Sequence, residues 1–308
     1  LLDPLSDVLS TLRLHSSIYF RTELGAPWGL DVPALGRVAR FHVVVAGRCH
    51  VEVPGPGRVA LLERGDLALV PHGARHLLRS QAGLETVPLD AALDSSAYDG
   101  SGDLRHGGEG ERTTMVCGHF AFDDEALHPA LAGLEALLHL RAADGYDFTW
   151  LDAAARSLGR ETAARLPGWK AVVDRAAEIL FVQALRSQYA RAEAPASLAA
   201  FSDARLARCL AAIHAEPERE WTLEQLAATA GMSRTAFAVR FRNLAGLPPM
   251  AYVTRWRLQR ARRELLDSTD IVAAVAARFG FDSEASFSRA FRRLYGLPPA
   301  TYRRQHAA

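Results

Sequence analysis

Two sets of side chains in this 308-residue chain have the types and spacing to do chemistry. The first is a group of imidazoles and thiols in the front half: His42, His50, His72, His76, Cys49 and Cys117. Histidine nitrogen and cysteine sulfur are ligands for Zn²⁺, and a catalytic metal needs about three of them plus an open position. Accessible thiols of lowered pKa serve as redox switches, whereas imidazoles inside a β structure also hydrogen-bond one another or hold an organic ligand. The second set lies near the end: Ser233, Arg234, Thr235, Ala238, Val239, Arg240 and Arg242, then Ser283, Glu284, Ala285, Ser286, Arg289, Arg292 and Arg293. Arginine beside small polar residues at the start of a capped helix suits phosphate contact and base reading in a major groove.

The elements that must position the second set come from an internal repeat. Residues 233–252 and 283–302 align without gaps and share Ser233/Ser283, Phe237/Phe287, Phe241/Phe291, Arg242/Arg292 and Leu244/Leu294. They share Gly246-Leu-Pro-Pro249 and Tyr252 as well, repeated in Gly296-Leu-Pro-Pro299 and Tyr302. Each copy follows a short apolar pattern of period 3.6: Leu223 to Ala230, then Gly231; and Ile271 to Phe279, then Gly280. Glycine allows the left-handed helix stop, and the serine two or three residues on caps the next helix. Helix, glycine turn and capped helix form a helix-turn-helix unit, here built twice. The stripe Phe237-Phe241-Leu244 and its counterpart face a core, which leaves the arginine face outward. Tyr252 to Leu266 reads as one helix between the units, a strut that would hold two heads near 34 Å apart along one side of a duplex.

Charge divides the chain in the same place. Residues 200–308 hold 17 Arg against 10 acidic residues, and residues 1–199 are net acidic, so the overall +1 hides a basic segment joined to an acidic one. The basic segment has the electrostatic footprint of a nucleic-acid binder. Three cysteines, no bilayer-length apolar run and no signal-peptide pattern point to a cytoplasmic protein that crosses no membrane.

Residues 1–125 carry short β runs broken by Gly and Pro, at 41–45, 51–53, 59–62 and 67–71, with a last strand at 114–123. Residues 94–112 read as a long mobile loop. Two amphipathic helices follow, around 150–158 and 168–185; one of their faces either joins a twin subunit or packs within the chain. The expected organisation is a β-barrel domain over 1–130, a helical segment over 131–190, a linker over 191–202 and a DNA-binding domain over 203–308. The fold class is α+β and multidomain: a β-barrel with a helical pair, then an all-α double helix-turn-helix.

The run from Trp221-Thr-Leu through Gly231-Met-Ser-Arg, Trp256-Arg, Gly280-Phe-Asp and Phe287-Ser-Arg-Ala-Phe291 to Gly296-Leu-Pro-Pro-Ala-Thr-Tyr-Arg303 resembles the AraC/XylS family of transcriptional regulators. That resemblance implies two recognition helices in adjacent major-groove segments. Arginine is common in the family where Val239 stands, so the first head would read through Arg240 or through methyl contact and shape. Gly65-Asp66-x4-Pro71-x-Gly73-x2-His76 resembles the second motif of the cupin jelly roll, where metal-binding members place a ligand at His76. The first cupin motif normally offers His-x-His and a glutamate; here Arg40 and His42 stand in its place. Two imidazoles fall short of a redox-metal oxygenase.

The expectation is therefore a non-enzymatic, sequence-specific regulator with a cupin-type sensor for a small ligand, a metal such as Zn or a redox signal. Its partners would be double-stranded promoter DNA, a second copy of the chain and, for an activator, RNA polymerase. The rival reading is a metal-dependent cupin oxygenase or isomerase carrying a DNA-binding module.

Overall fold

Alternating apolar runs cut by glycine form two facing sheets, and the periodic runs after residue 149 form helices. The computed structural model describes residues 3–11, 14–36, 38–55, 58–96, 103–122, 133–143, 149–190 and 196–306. The chain divides into two compact units: Leu14–Asp123 with Glu135–Ser187, and Leu1–Arg13 with Asp124–Leu134 and Gln188–Ala308.

In the β unit, one sheet comprises β1 (Leu14–Gly25), β3 (Val38–Ala46), β6 (Leu67–Val70), β9 (Asp103–Gly107), β10 (Arg112–Phe122) and β11 (Leu138–Leu140). Its strand order is β11-β6-β3-β10-β1-β9. The other contains β2 (Gly29–Val32), β4 (Cys49–Val53), β5 (Arg58–Leu62), β7 (His76–Arg79) and β8 (Val87–Pro88), in the order β5-β4-β7-β2-β8. The core lies between the sheets: Leu24, Val44, Ala68, Met115 and Cys117 from the first meet Leu30, Val32, Cys49, Val51, Leu62 and Leu78 from the second. This is the two-sheet jelly-roll arrangement expected from the β runs.

The larger sheet is covered on its other face too, which is why every residue from Val38 to Val44 is buried and the strand shows no polar alternation. There α3 (Thr149–Ala164) and α4 (Trp169–Ala190) pack against it. Phe41 meets Phe120 and Phe120 meets Phe181, each pair with ring centroids 4.9 Å apart. The pleat then sends Arg40, His42 and Val44 to the interior between the sheets.

The structure departs from the sequence reading in this half at several places, among them β2, β7 and β8, which form where no strand was expected. Residues 94–112 are not one loop: α2 (Leu89–Ser95) precedes it, and Asp103–Gly107 forms β9, parallel to β1. The alternation of Leu104 and His106 is too brief to announce a strand without its partner. A helix, α1 (Pro4–Thr11), and the long strand β1 open a segment in which no element was expected. Strand β10 is not the last, since β11 pairs with β6 beyond it. The tip of the expected loop at 97–102, Asp123 and the expected boundary at 130/131 lie outside the described residues.

In the helical unit, α5 (Ala196–Ser202) occupies most of the stretch expected to be a linker, and packs on α6 and α8; residues 191–195 lie outside the described residues. The first head is α6 (Ala204–Ala215), α7 (Leu223–Ala230) and α8 (Arg234–Ala245); the strut is α9 (Pro249–Asp267). The second head is α10 (Val272–Arg278), α11 (Glu284–Tyr295) and α12 (Pro299–His306). Thr222 and Gln225 make a reciprocal capping box at α7, and Gly231 ends it in the left-handed conformation with φ 63°. Ser233 and Ser283 cap α8 and α11 through the amides of Ala236 and Ser286. Phe237, Phe241, Phe287 and Phe291 are fully buried. Helix α1 belongs to this unit: Leu5 and Val8 are buried, and Asp7 meets His214, which stacks on Trp256 with centroids 3.8 Å apart.

Candidate functional site

The candidate reading face of each head is the solvent side of the helix that Ser233 or Ser283 caps. With the phenylalanines locked inward, helical geometry turns Thr235, Val239 and Arg242 outward in α8, and Ala285, Arg289, Arg292 and Arg293 outward in α11. Ala238 and Ser286 are half-buried beside them, and Arg234, Ser233, Ser283 and Glu284 lie exposed at the helix starts.

The two faces differ in what engages their arginines. Arg234 pairs with Glu224 at 2.8 Å, both well exposed. Arg240 is drawn sideways onto Asp203, its Nε 2.9 Å from Oδ2. The same carboxylate caps α6 through the amides of Arg205 and Leu206. Burial works to raise the Asp203 pKa, but the Leu206 amide and the Arg240 guanidinium outweigh it and hold the carboxyl below its usual value. Val239 is 57% exposed, a large apolar side chain facing solvent between Thr235 and Arg242.

The barrel interior holds the other set. His42 and Cys117 are directly opposed across β3 and β10, and His42 Nδ1 lies 3.2 Å from Cys117 Sγ. From the facing sheet, His76 Nε2 lies 2.8 Å from His42 Nε2, and His76 Nδ1 lies 2.8 Å from the Ala74 carbonyl. A carbonyl only accepts, so the hydrogen bonds run one way when both rings are neutral. Cys117 S–H donates to His42, His42 Nε2–H donates to His76, and His76 Nδ1–H donates to Ala74.

Burial keeps the groups in those states. It holds His42 well below the usual imidazole range, helped by the neighbouring His76 and Arg40 charges, and brings His76 down to about 4. It pushes the Cys49 thiol up to about 12 and raises Cys117 too, with Cys49 close enough to add to the effect. A cavity of about 20 Å³, room for roughly one water, is lined by Thr22, Leu30, Val32, Arg40, His42, Leu78, Leu89, Cys117 and Gly118.

The structure thus brings together His42, His76 and Cys117, with Cys49 nearby, and separates His50 and His72 from them. His50 follows Cys49 on β4, so the pleat turns it to the other face of the sheet; His72 is exposed in the turn after β6. Pleat parity in the sequence already forbade Cys49 and His50 from sharing a face. Arg40 shares the interior with His42, as their spacing on one strand face implies, and Thr22 joins them there with no sequence signal of its own.

Among the described residues no three His, Cys, Asp or Glu side chains are arranged to hold a metal ion. The donor geometry explains this. His42 spends both ring nitrogens on Cys117 and His76. A tetrahedral Zn²⁺ would also need its two imidazole nitrogens roughly 3.3 Å apart, wider than the hydrogen-bonded 2.8 Å found. A resident Zn²⁺ does not fit these side chains as placed.

Comparison with known proteins agrees with both halves. A cupin family profile matches residues 3–190, and a helix-turn-helix domain profile matches residues 226–305. An AraC-like transcription regulator of Streptomyces lividans is 32% identical over 98% of this chain and 98% of its own. The RCS-specific HTH-type transcriptional activator RclR of Escherichia coli is 28% identical over 98% of this chain and 97% of its own. The crystal structure of the DNA-binding domain of AdpA with a target DNA covers 31% of this chain and 85% of that one, at 39% identity and a TM-score of 0.30. These full-length relatives are transcriptional regulators rather than enzymes. The chain belongs to the AraC family of DNA-binding transcriptional regulators, with an N-terminal cupin domain and a C-terminal helix-turn-helix region.

Proposed function

We propose that this regulator acts in the cytoplasm as a homodimer, binds promoter DNA through α8 and α11 and, where it acts as an activator, contacts RNA polymerase. In this reading the barrel interior decides when. The observation that carries it is the pair of outward arginine faces on two capped helices of one unit: Arg242 in the first head, and Arg289, Arg292 and Arg293 in the second. Val172 and Ile179 support dimerisation. They lie seven residues apart on one side of α4 and are 48% and 58% exposed, an apolar stripe suited to a second copy.

For the sensor, we infer a small polar effector that engages Arg40, His42 and Cys117. The cavity they line admits about one water, so a larger molecule must part the two sheets to enter, and that movement is the signal. Ligand-dependent transfer between two arrangements requires unequal affinity for them. A second reading is oxidation of Cys49 and Cys117, neighbours in the core whose burial raises both thiols, so that the sheets must part before an oxidant reaches them; the relative RclR is named as RCS-specific. There a two-electron oxidant would take two protons and two electrons from the thiols to form a disulfide. Native mass spectrometry of the chain isolated from its host separates the two. A small adduct lost in Arg40→Leu supports the effector, a two-dalton loss abolished by Cys117→Ser supports oxidation, and neither species removes the barrel from signalling.

A further inference from the structure

The arginines of the reading faces are not the only ones placed with purpose in the helical unit. Arg257 lies on the strut α9, half-buried, with its guanidinium turned to main-chain carbonyls. Its planar guanidinium donates from three different nitrogens to three main-chain carbonyls. Nε reaches Pro217 at 2.6 Å, Nη2 reaches Arg219 at 2.7 Å, and Nη1 reaches Gly280 at 2.8 Å. Pro217 and Arg219 belong to the turn between α6 and α7, in the first head. Gly280 is the turn of the second helix-turn-helix.

Both turns are themselves fixed to their heads. Trp221 is buried, its indole N–H donates to the Glu216 carbonyl at 2.9 Å, and Arg219 lies over its ring. Gly280 is flanked by Phe279 and Phe281, which pack in the second head's core. The turns also approach each other. A Cβ on Gly280 would fall 2.6 Å from the Glu218 carbonyl oxygen and 3.0 Å from Arg257 Cζ, and φ there is +73°. A rigid five-donor fork imposes direction where a lysine ammonium, a point charge on a flexible stem, does not.

We propose that Arg257 is the positioning residue that fixes the second reading head relative to the first, and thereby sets the spacing of the two DNA segments the regulator accepts. A helix joining the heads leaves them free to bend and swing about its ends. Three directional bonds across the seam, added to the close approach at Gly280, remove that freedom. Arg257 itself touches no DNA in this account. The proposal rests on both heads engaging one duplex.

The test uses the full chain and a randomised double-stranded DNA library. Selection with the wild type first defines a two-part site; a one-part site would refute two-headed binding itself, independently of Arg257. The selected site is then remade with one or two base pairs added to or removed from its spacer. The wild type is expected to lose about tenfold or more in affinity for each altered spacer, the scale of a mismatched base pair. Arg257→Ala should bind the best site more weakly and discriminate between spacers by less than about threefold, with Arg257→Lys in between. Equal weakening of Arg257→Ala on every spacer would make the residue a mere structural support and overturn the proposal. So would an unchanged spacer preference. Loss of cooperative melting in both variants would overturn it as well, because Arg257 would then hold the fold rather than the spacing.

Discussion

The barrel and the helical unit turn their functional polar side chains in opposite directions. In the barrel, His42, His76, Cys49 and Cys117 are turned inward, and burial strips them of charge: the imidazoles are neutral and the thiols protonated. In the helical unit, a core built around four buried phenylalanines, Phe237, Phe241, Phe287 and Phe291, turns Arg242, Arg289, Arg292 and Arg293 outward into solvent. An inward, neutral hydrogen-bond chain changes state only when something enters or the sheets part. An outward, charged face is ready for a polyanion at all times. In the proposed reading, sensing and binding divide by side-chain direction, and direction is set by the pleat in one unit and by helical period in the other.

The comparison extends within the helical unit. Both heads share the core and caps, yet Glu224 and Asp203 engage Arg234 and Arg240 in the first, while Arg289 replaces Val239 in the second. The second head therefore carries more of the charge available to DNA.

The largest effect should come from the core that aims the arginines. Phe291→Ala removes a fully buried ring and should cost about 3–5 kcal/mol, read as a lowered urea midpoint with DNA binding lost in parallel. Binding retained in a destabilised chain would separate the core from the reading face.

Next in size is the acid response of the barrel. The folded pKa values of His42 and His76 lie below the unfolded value near 6.5, so the unfolded chain binds protons first as pH falls. Their contribution to stability is full above about pH 6.5, and it is lost on acidification toward the folded value, about 4 for His76. The urea midpoint should therefore drop between pH 7.5 and 5, and His76→Asn should flatten that drop. An identical slope in the variant would mean that the interior histidines are not the titrating groups.

Smaller again is Arg289→Ala, expected to cost roughly 1–3 kcal/mol on a selected duplex and less on scrambled DNA. An equal loss on both makes Arg289 a phosphate contact. The smallest change should follow Arg240→Ala. With its guanidinium already on Asp203, binding should fall less than for Arg289→Ala; a larger fall would show that Arg240 leaves Asp203 when DNA arrives.

How much of this was legible in the sequence follows from the range of the interactions. The double helix-turn-helix rests on local signals, a serine cap, a glycine stop and Phe-x3-Phe spacing, repeated at a fixed offset, so the heads were readable residue by residue. The strands at 41–45, 51–53 and 67–71 were readable because each run ends at Gly or Pro. What escaped depends on distant partners. Strand β9 exists through its parallel pairing with β1, about eighty residues away. Helix α5 is held by α8, and the Arg240–Asp203 pair spans 37 positions. In the barrel, His42, His76 and Cys117 were named as candidates, but that they form a directional chain rather than a ligand set depends on Nε2 facing Nε2 across two sheets. Arg257 stood out only as part of the Trp256-Arg pair in the family pattern; its role gave no signal, because its partners are main-chain carbonyls and carry no residue type.

The most direct test of the account is a binding titration of the full chain on a selected duplex and a scrambled one across a range of salt. The account expects the selected duplex to bind about a thousandfold or more tightly, with log affinity falling linearly as log salt rises, by roughly 0.9 per phosphate contacted. Equal affinity for the two duplexes, or affinity indifferent to salt, would contradict it.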